Sequence, residues 1–154
     1  MDFTFQVLRN TREIFKKIIE QNTLEYLNKT PNGFNNNIIW NIGHVVVSEQ
    51  LLAYKLSGLE SMLSDEMINK YRKDTKPEGN VTQEAVNEIK ELLSSTLKKT
   101  ESDYTNGAFK NYNTYTVSTT GNTLNNIDEA LQFVAIHEGL HYGYVLALLK
   151  AIKN

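Results

Sequence analysis

Apolar residues recur along this chain at helical spacing, with only a short interruption by anything that reads as strand. Leu8, Phe15, Ile18, Ile19 and Tyr26 follow one another at steps of three, four and seven. That is the repeat of one face of a 3.6-residue helix, so a first helix is predicted from about Asp2 to Asn28. Pro31-Asn32-Gly33 then breaks the pattern. From about Asn37 to Leu56 the chain is apolar nearly all round: Ile38, Ile39, Trp40, Ile42, Val45, Val46, Val47, Leu51 and Leu52. A helix of that kind is buried on most sides. Ser57-Gly58 closes it, with glycine near the position just past a helix end.

Residues 59–80 read as a connection holding one short helix near Ser64–Tyr71. A third long helix is expected from Asn80, with Gln83 three residues on as its capping-box partner. It continues through Ala85, Ile89, Leu92, Leu93 and Leu97 to about Tyr104. Residues 105–124, rich in Asn, Thr, Gly and Tyr, read as a crossover loop with a short hairpin around Tyr112–Val117. A fourth long helix begins near Asn126, with Glu129 in the capping-box position, and runs to about Ile152. Only two prolines, Pro31 and Pro77, occur in the 154 residues, so long helices are permitted. The expected fold is all-α: a four-helix bundle with long connections, forming a single domain over residues 1–154.

Composition narrows the function. The net charge is −2, with 16 basic against 18 acidic residues. Nucleic-acid binders carry a basic footprint, so no nucleic-acid partner is expected. The most apolar stretch, Ile38 to Leu56, is interrupted by Asn41, His44, Ser48, Glu49 and Gln50, too polar for a membrane span. The N-terminus lacks a basic segment followed by an apolar run, and a cytoplasmic location is expected. No cysteine is present, which excludes disulfides, thiolate metal sites and a cysteine nucleophile. Any thiol chemistry would need an external thiol.

Three histidines carry the candidate chemistry. His137 and His141 stand four apart on the fourth long helix and therefore share a face. His44 lies mid-way along the buried second helix. All three fall on faces expected to point inward. Burying three imidazoles separately would leave several ring nitrogens seeking partners, whereas one metal ion would satisfy three together. His137-Glu138-Gly139-Leu140-His141 also matches H-E-x-x-H, the zinc protease signature. The 13 residues after His141 contain no His, Asp or Glu to serve as its third ligand, so that reading is set aside. Glu138 is a candidate general base beside the metal. Trp40 is core or a pocket wall. Asn41, Ser48 and Glu49 are candidates to accept a histidine N–H.

Two strings carry a resemblance. Trp40-Asn41-Ile42-Gly43-His44-Val45 and His137-Glu138-Gly139-Leu140-His141-Tyr142-Gly143-Tyr144-Val145 resemble the W-x-x-G-H-[ILV] and H-x-x-x-H-x-G-x-[ILV] motifs of the DinB-like, or YfiT-like, superfamily. Tyr144 replaces the glutamine common after the last glycine, and residues 59–125 carry no subfamily marker. The resemblance implies a divalent metal, zinc or nickel most often and sometimes manganese or iron, held by His44, His137 and His141. It also implies a low-molecular-weight thiol as cofactor, since relatives include bacillithiol transferases and mycothiol-dependent isomerases. The function expected is metal-dependent S-transfer from such a thiol to an electrophilic small molecule. A hydrolase using metal-bound hydroxide and a non-catalytic metal-binding stress protein are the alternatives. A homodimer is expected, because relatives often pair and the first two long helices carry more apolar positions than one bundle interior needs.

Overall fold

The computed structural model describes residues 1–153. Four long helical segments form the bundle: α1 (Asp2–Gln21), α3 (Ile38–Gln50), α5 (Gln83–Thr105) and α6 (Ile127–Lys153). Two short helices, α2 (Leu24–Asn28) and α4 (Asp65–Tyr71), lie in the connections. α1 and α3 each pack against both α5 and α6, so the order around the bundle is α1, α5, α3, α6. Phe15, Ile42, Val46, Leu93, Leu131 and Leu148 are fully buried between them. No described helix is long and apolar enough to cross a membrane.

The first helix is shorter than its periodicity suggests. Asn22 is extended, and its side-chain amide donates to the Ile18 carbonyl at 2.7 Å, satisfying a group the helix end leaves open. Thr23 then caps α2 by accepting from the Tyr26 amide. An Asx cap and a Thr cap in succession outweigh the apolar repeat. The third long helix starts later than expected for a similar reason: Thr82 accepts from the Ala85 amide, and the Asn80 side chain does not cap. The fourth starts as expected, with Asn126 accepting from the Glu129 amide at 2.9 Å. Glu129 answers to Asn125 rather than Asn126, one residue off the usual box.

The second long helix changes character before it ends. Asn37 caps α3 through the Trp40 amide, but Leu51–Lys55 is a π-helical turn. Such turns shift the face that the following side chains present and often lie at functional sites. Gly58, at φ +70°, then ends the segment through amide bonds from Gly58 to the Lys55 carbonyl and from Leu59 to the Tyr54 carbonyl. The hairpin falls further along than expected. β1 (Tyr115–Thr116) pairs antiparallel with β2 (Thr123–Leu124), and Tyr112 instead donates its hydroxyl to the Leu52 carbonyl in the π turn.

Candidate metal centre

α3 and α6 bring the three histidines together. The candidate ligand atoms of His44, His137 and His141 all lie within 4.8 Å of one another. His137 Nε2 and His141 Nε2 are 3.2 Å apart. Two nitrogens about 2.0–2.1 Å from one tetrahedral ion would be separated by about 3.3 Å, so this pair already has the edge length such an ion needs. The i, i+4 spacing on one helix face produces it. Without an ion, one of these two nitrogens donates a proton to the other; a divalent ion would accept both lone pairs together.

The protein fixes the tautomers of two of these rings. His44 Nδ1 lies 2.7 Å from the Tyr71 carbonyl oxygen, which only accepts. The proton is therefore on Nδ1, and the Nε2 lone pair is free; Ser48 Oγ donates to it at 3.2 Å. His141 Nδ1 lies 2.8 Å from Asn41 Oδ1. The Asn41 amide nitrogen donates to the Asn37 carbonyl at 2.7 Å, so the atom facing His141 is the oxygen. His141 thus donates from Nδ1 and presents Nε2 to the centre. Its partner ring, His137, has a buried Nδ1 with no hydrogen-bond partner among the described residues.

Burial keeps the imidazoles neutral, the form that ligates. His44 and His137 are 7% and 8% exposed. Desolvation, followed by the charges of His141 and His44, pushes the pKa of His137 down to about 3. Desolvation and then His44 push His141 down to about 4. Burial also lowers that of His44, opposed by its bond to Tyr71. Trp40 stacks on the back of the His44 ring at 4.9 Å and 9°, and holds it as packing.

The remaining candidates divide. Asn41 accepts a histidine N–H as expected, Ser48 reaches His44 as a donor instead of an acceptor, and neither Glu49 nor Glu138 reaches a histidine. Both carboxylates are fully buried on the other side of the helices, around Arg12. Arg12 donates from Nε and Nη2 to Glu138 Oε1 at 2.9 and 2.8 Å, and its Nη2 lies 3.7 Å from Glu49 Oε2. Glu49 also accepts from Gln50 and Thr100. Burial raises the Glu138 pKa despite Arg12. Glu138 does not line the cavity over the histidines, so this structure gives it no route to a substrate proton. Sequence reading missed Arg12 and the Tyr71 carbonyl. A lone arginine on an amphipathic helix looks like surface, and a backbone acceptor has no residue signature.

A cavity of about 610 Å³ opens over the three histidines. The π turn supplies Leu51, Leu52 and Lys55 to its wall, α6 supplies Phe133 and Leu140, and the hairpin supplies Val117. Three imidazoles, two of them with fixed tautomers, lining a largely apolar cavity form a candidate site for a divalent ion with open coordination positions. No curated protein matches this sequence. Residues 7–145 match the DinB superfamily, and with nine-tenths of its length inside that match the chain belongs to this family.

Proposed function

We propose that the protein is a metal-dependent S-transferase: His44, His137 and His141 hold a divalent ion, zinc or nickel, and an external low-molecular-weight thiol, bacillithiol-like, attacks an electrophilic small molecule in the cavity. The 3.2 Å approach of the His137 and His141 Nε2 atoms carries the metal part of this reading. A divalent ion held by three neutral imidazoles supplies the charge that ionises a thiol near neutral pH. The chain's own residues do the rest. Tyr71 and Asn41 hold two Nδ1–H groups outward so that Nε2 faces the cavity. Leu51, Leu52 and Phe133 give the cavity an apolar wall for the carbon skeleton of a substrate. The thiol must come from outside because the chain has no cysteine. The hydrolytic alternative gains no general base from Glu138, which is turned toward Arg12.

The test is metal content followed by turnover. Purified protein should carry or take up one zinc or nickel per chain, and His44→Ala and His141→Ala should lose tight binding while remaining helical. The loaded protein should consume thiol and monochlorobimane together, forming a C–S bond as the C–Cl bond breaks and releasing chloride and the thiol proton. A His44→Ala variant that binds as tightly as the parent would sink the metal reading. Full occupancy with turnover that needs no thiol would favour the hydrolase, and full occupancy with no turnover would leave a non-catalytic metal-binding protein.

We also propose a homodimer, formed on α6 rather than on the first two long helices. The apolar surplus of α3 is absorbed within the protomer, where Ile38, Ile39, Ile42 and Val45 to Val47 are buried. Ile136, Leu140 and Leu146 are instead 57%, 51% and 46% exposed on α6. Light scattering at micromolar concentration should give twice the protomer mass, and Ile136→Glu should return it to the monomer. A monomeric parent would refute the proposal.

A further inference from the structure

The cavity over the histidines has a charge pattern that metal binding does not explain. Among the described residues, its lining contains two charged side chains, Lys55 and Lys73, and no carboxylate. The chain has more acids than bases, so a wall without a single acid is not what the composition would supply by default. Lys55 comes from the π turn and Lys73 from the link after α4. Among the described residues, neither ammonium has a carboxylate within 4.0 Å, as holds for all lysines but Lys16, Lys90 and Lys99, so what sets these two apart is their place on the cavity wall.

Lys73 is also placed. Its Nζ donates to Ser118 Oγ at 2.7 Å, tying the link after α4 to the hairpin turn. Ser118 and Thr119 line the same cavity, adding hydroxyl donors beside the ammonium. The rest of the lining is mixed, with Leu51, Leu52, Leu56, Val117, Phe133 and Leu140 as its apolar part and Asn36, Asn41, Ser48, Tyr115 and Tyr144 as its uncharged polar part. Both lysines are exposed residues, and a cleft lined by one sign of charge attracts ions of the opposite sign and repels those of its own.

We propose that the cavity takes a small organic anion, an apolar chain or ring ending in a carboxylate or phosphate, whose anionic end is held by Lys55 and Lys73 while its apolar part lies toward the histidines. This names the substrate class for the reading above and rests on it only for which end reacts. Lys55 and Lys73 are specificity residues, since they select the charge of the ligand. Amines and polyamines are excluded by the same two ammonium groups and by any divalent ion on the histidines.

Calorimetric titration of the full-length protein, metal-free and zinc-loaded, with octanoate, octyl phosphate, octanol and octylamine tests this. At least one of the two anions should bind metal-free protein about tenfold more tightly than octanol, and octylamine should not bind. The tighter of the two identifies the carboxylate or the phosphate as the anionic group. Lys55→Gln with Lys73→Gln should remove that tenfold preference, leave octanol binding and zinc affinity unchanged, and be rescued by the double arginine variant. The proposal is overturned if octylamine or octanol binds as well as the anions, or if the double glutamine variant binds them like the parent. Lysine-dependent anion binding in a protein that takes up no metal would leave this inference standing and end the transferase reading. Tight zinc binding with lysine-independent ligand binding would do the reverse.

Discussion

Tyr71 lays its ring against the bare Cα of Gly43: a Cβ built on that glycine would stand 2.6 Å from Tyr71 Cδ1. The ring is 2% exposed and has nowhere to retreat. The same residue's carbonyl accepts the His44 Nδ1–H, so the close approach of α4 to α3 at Gly43 is what brings an acceptor to the neighbouring histidine. Gly43→Ala should therefore destabilise the fold by about 1–3 kcal/mol in urea unfolding, the usual cost of overpacking a core. It should also weaken zinc binding, because displacing Tyr71 withdraws the group that orients His44. Gly139→Ala is the control. It meets no atom within 4 Å, and should be neutral or stabilising by about 0.5–1 kcal/mol, as expected for alanine replacing glycine inside a helix.

Arg12 is the single cation between two fully buried carboxylates, and removing it leaves Glu49 and Glu138 without a counter-charge. Breaking a buried pair from one side costs about 3–5 kcal/mol, much more than the intact pair contributes. Arg12→Ala should lose stability of that order. Adding Glu138→Gln to it should recover part of the loss, because one fewer buried charge then lacks a partner. Urea midpoints of the single and double variants measure this. A double variant no more stable than Arg12→Ala would contradict the electrostatic account.

The histidines tie folding to pH in a stated direction. Unfolded histidine titrates near 6.5, while burial holds His137 at about 3 and His141 at about 4 in the folded protein. Between those values the unfolded state binds more protons, so stability rises with pH across the window. The contribution is fully present above pH 6.5 and is lost as pH falls toward 4 and then 3. Metal-free protein should show a falling urea midpoint from about pH 6.5 downward. His137→Gln/His141→Gln should flatten that slope. Equal slopes for parent and variant between pH 4 and 6.5 would contradict the assignment.

Much of this arrangement is legible in the sequence, for reasons particular residues make clear. The helical repeat through α1, α3, α5 and α6 reflects burial of one stripe or, in α3, nearly the whole surface, and burial dominates local preference over that length. The convergence of His44, His137 and His141 follows from the same stripes, since an inward-facing polar residue must find a partner. The misses lie where short polar side chains compete with the helix. Asn22 and Thr23 end α1 early, and Thr82 displaces Asn80 as a cap. Periodicity does not register a one-residue choice among several capable caps. The π turn at Leu51–Lys55 is invisible for a different reason: its Leu52 carbonyl is satisfied by Tyr112, sixty residues away.

Asn41 bears on the metal reading most directly. Its amide nitrogen is spent on the Asn37 carbonyl and on Asn36 Oδ1 at 2.9 Å, which leaves its oxygen aimed at His141 Nδ1. It is 1% exposed, so water cannot easily replace it. Asn41→Ala should free the His141 ring to rotate and to exchange tautomers, and should lower zinc affinity about 10–100-fold, the range for loss of a ligand's outer hydrogen bond. Asn41→Asp keeps an acceptor at the same place and should bind zinc more tightly than the alanine variant. Competition with a chromophoric chelator gives the affinities. Nitrogen-15 shifts of the imidazoles in metal-free protein report the tautomer, which should be Nδ1–H for His141 in the parent and mixed in Asn41→Ala. The two readouts separate an orienting role from general damage, because a merely destabilised variant would lose helicity without a selective change at one ring. Unchanged zinc affinity together with an unchanged His141 tautomer in Asn41→Ala would show that this side chain does not position the ligand.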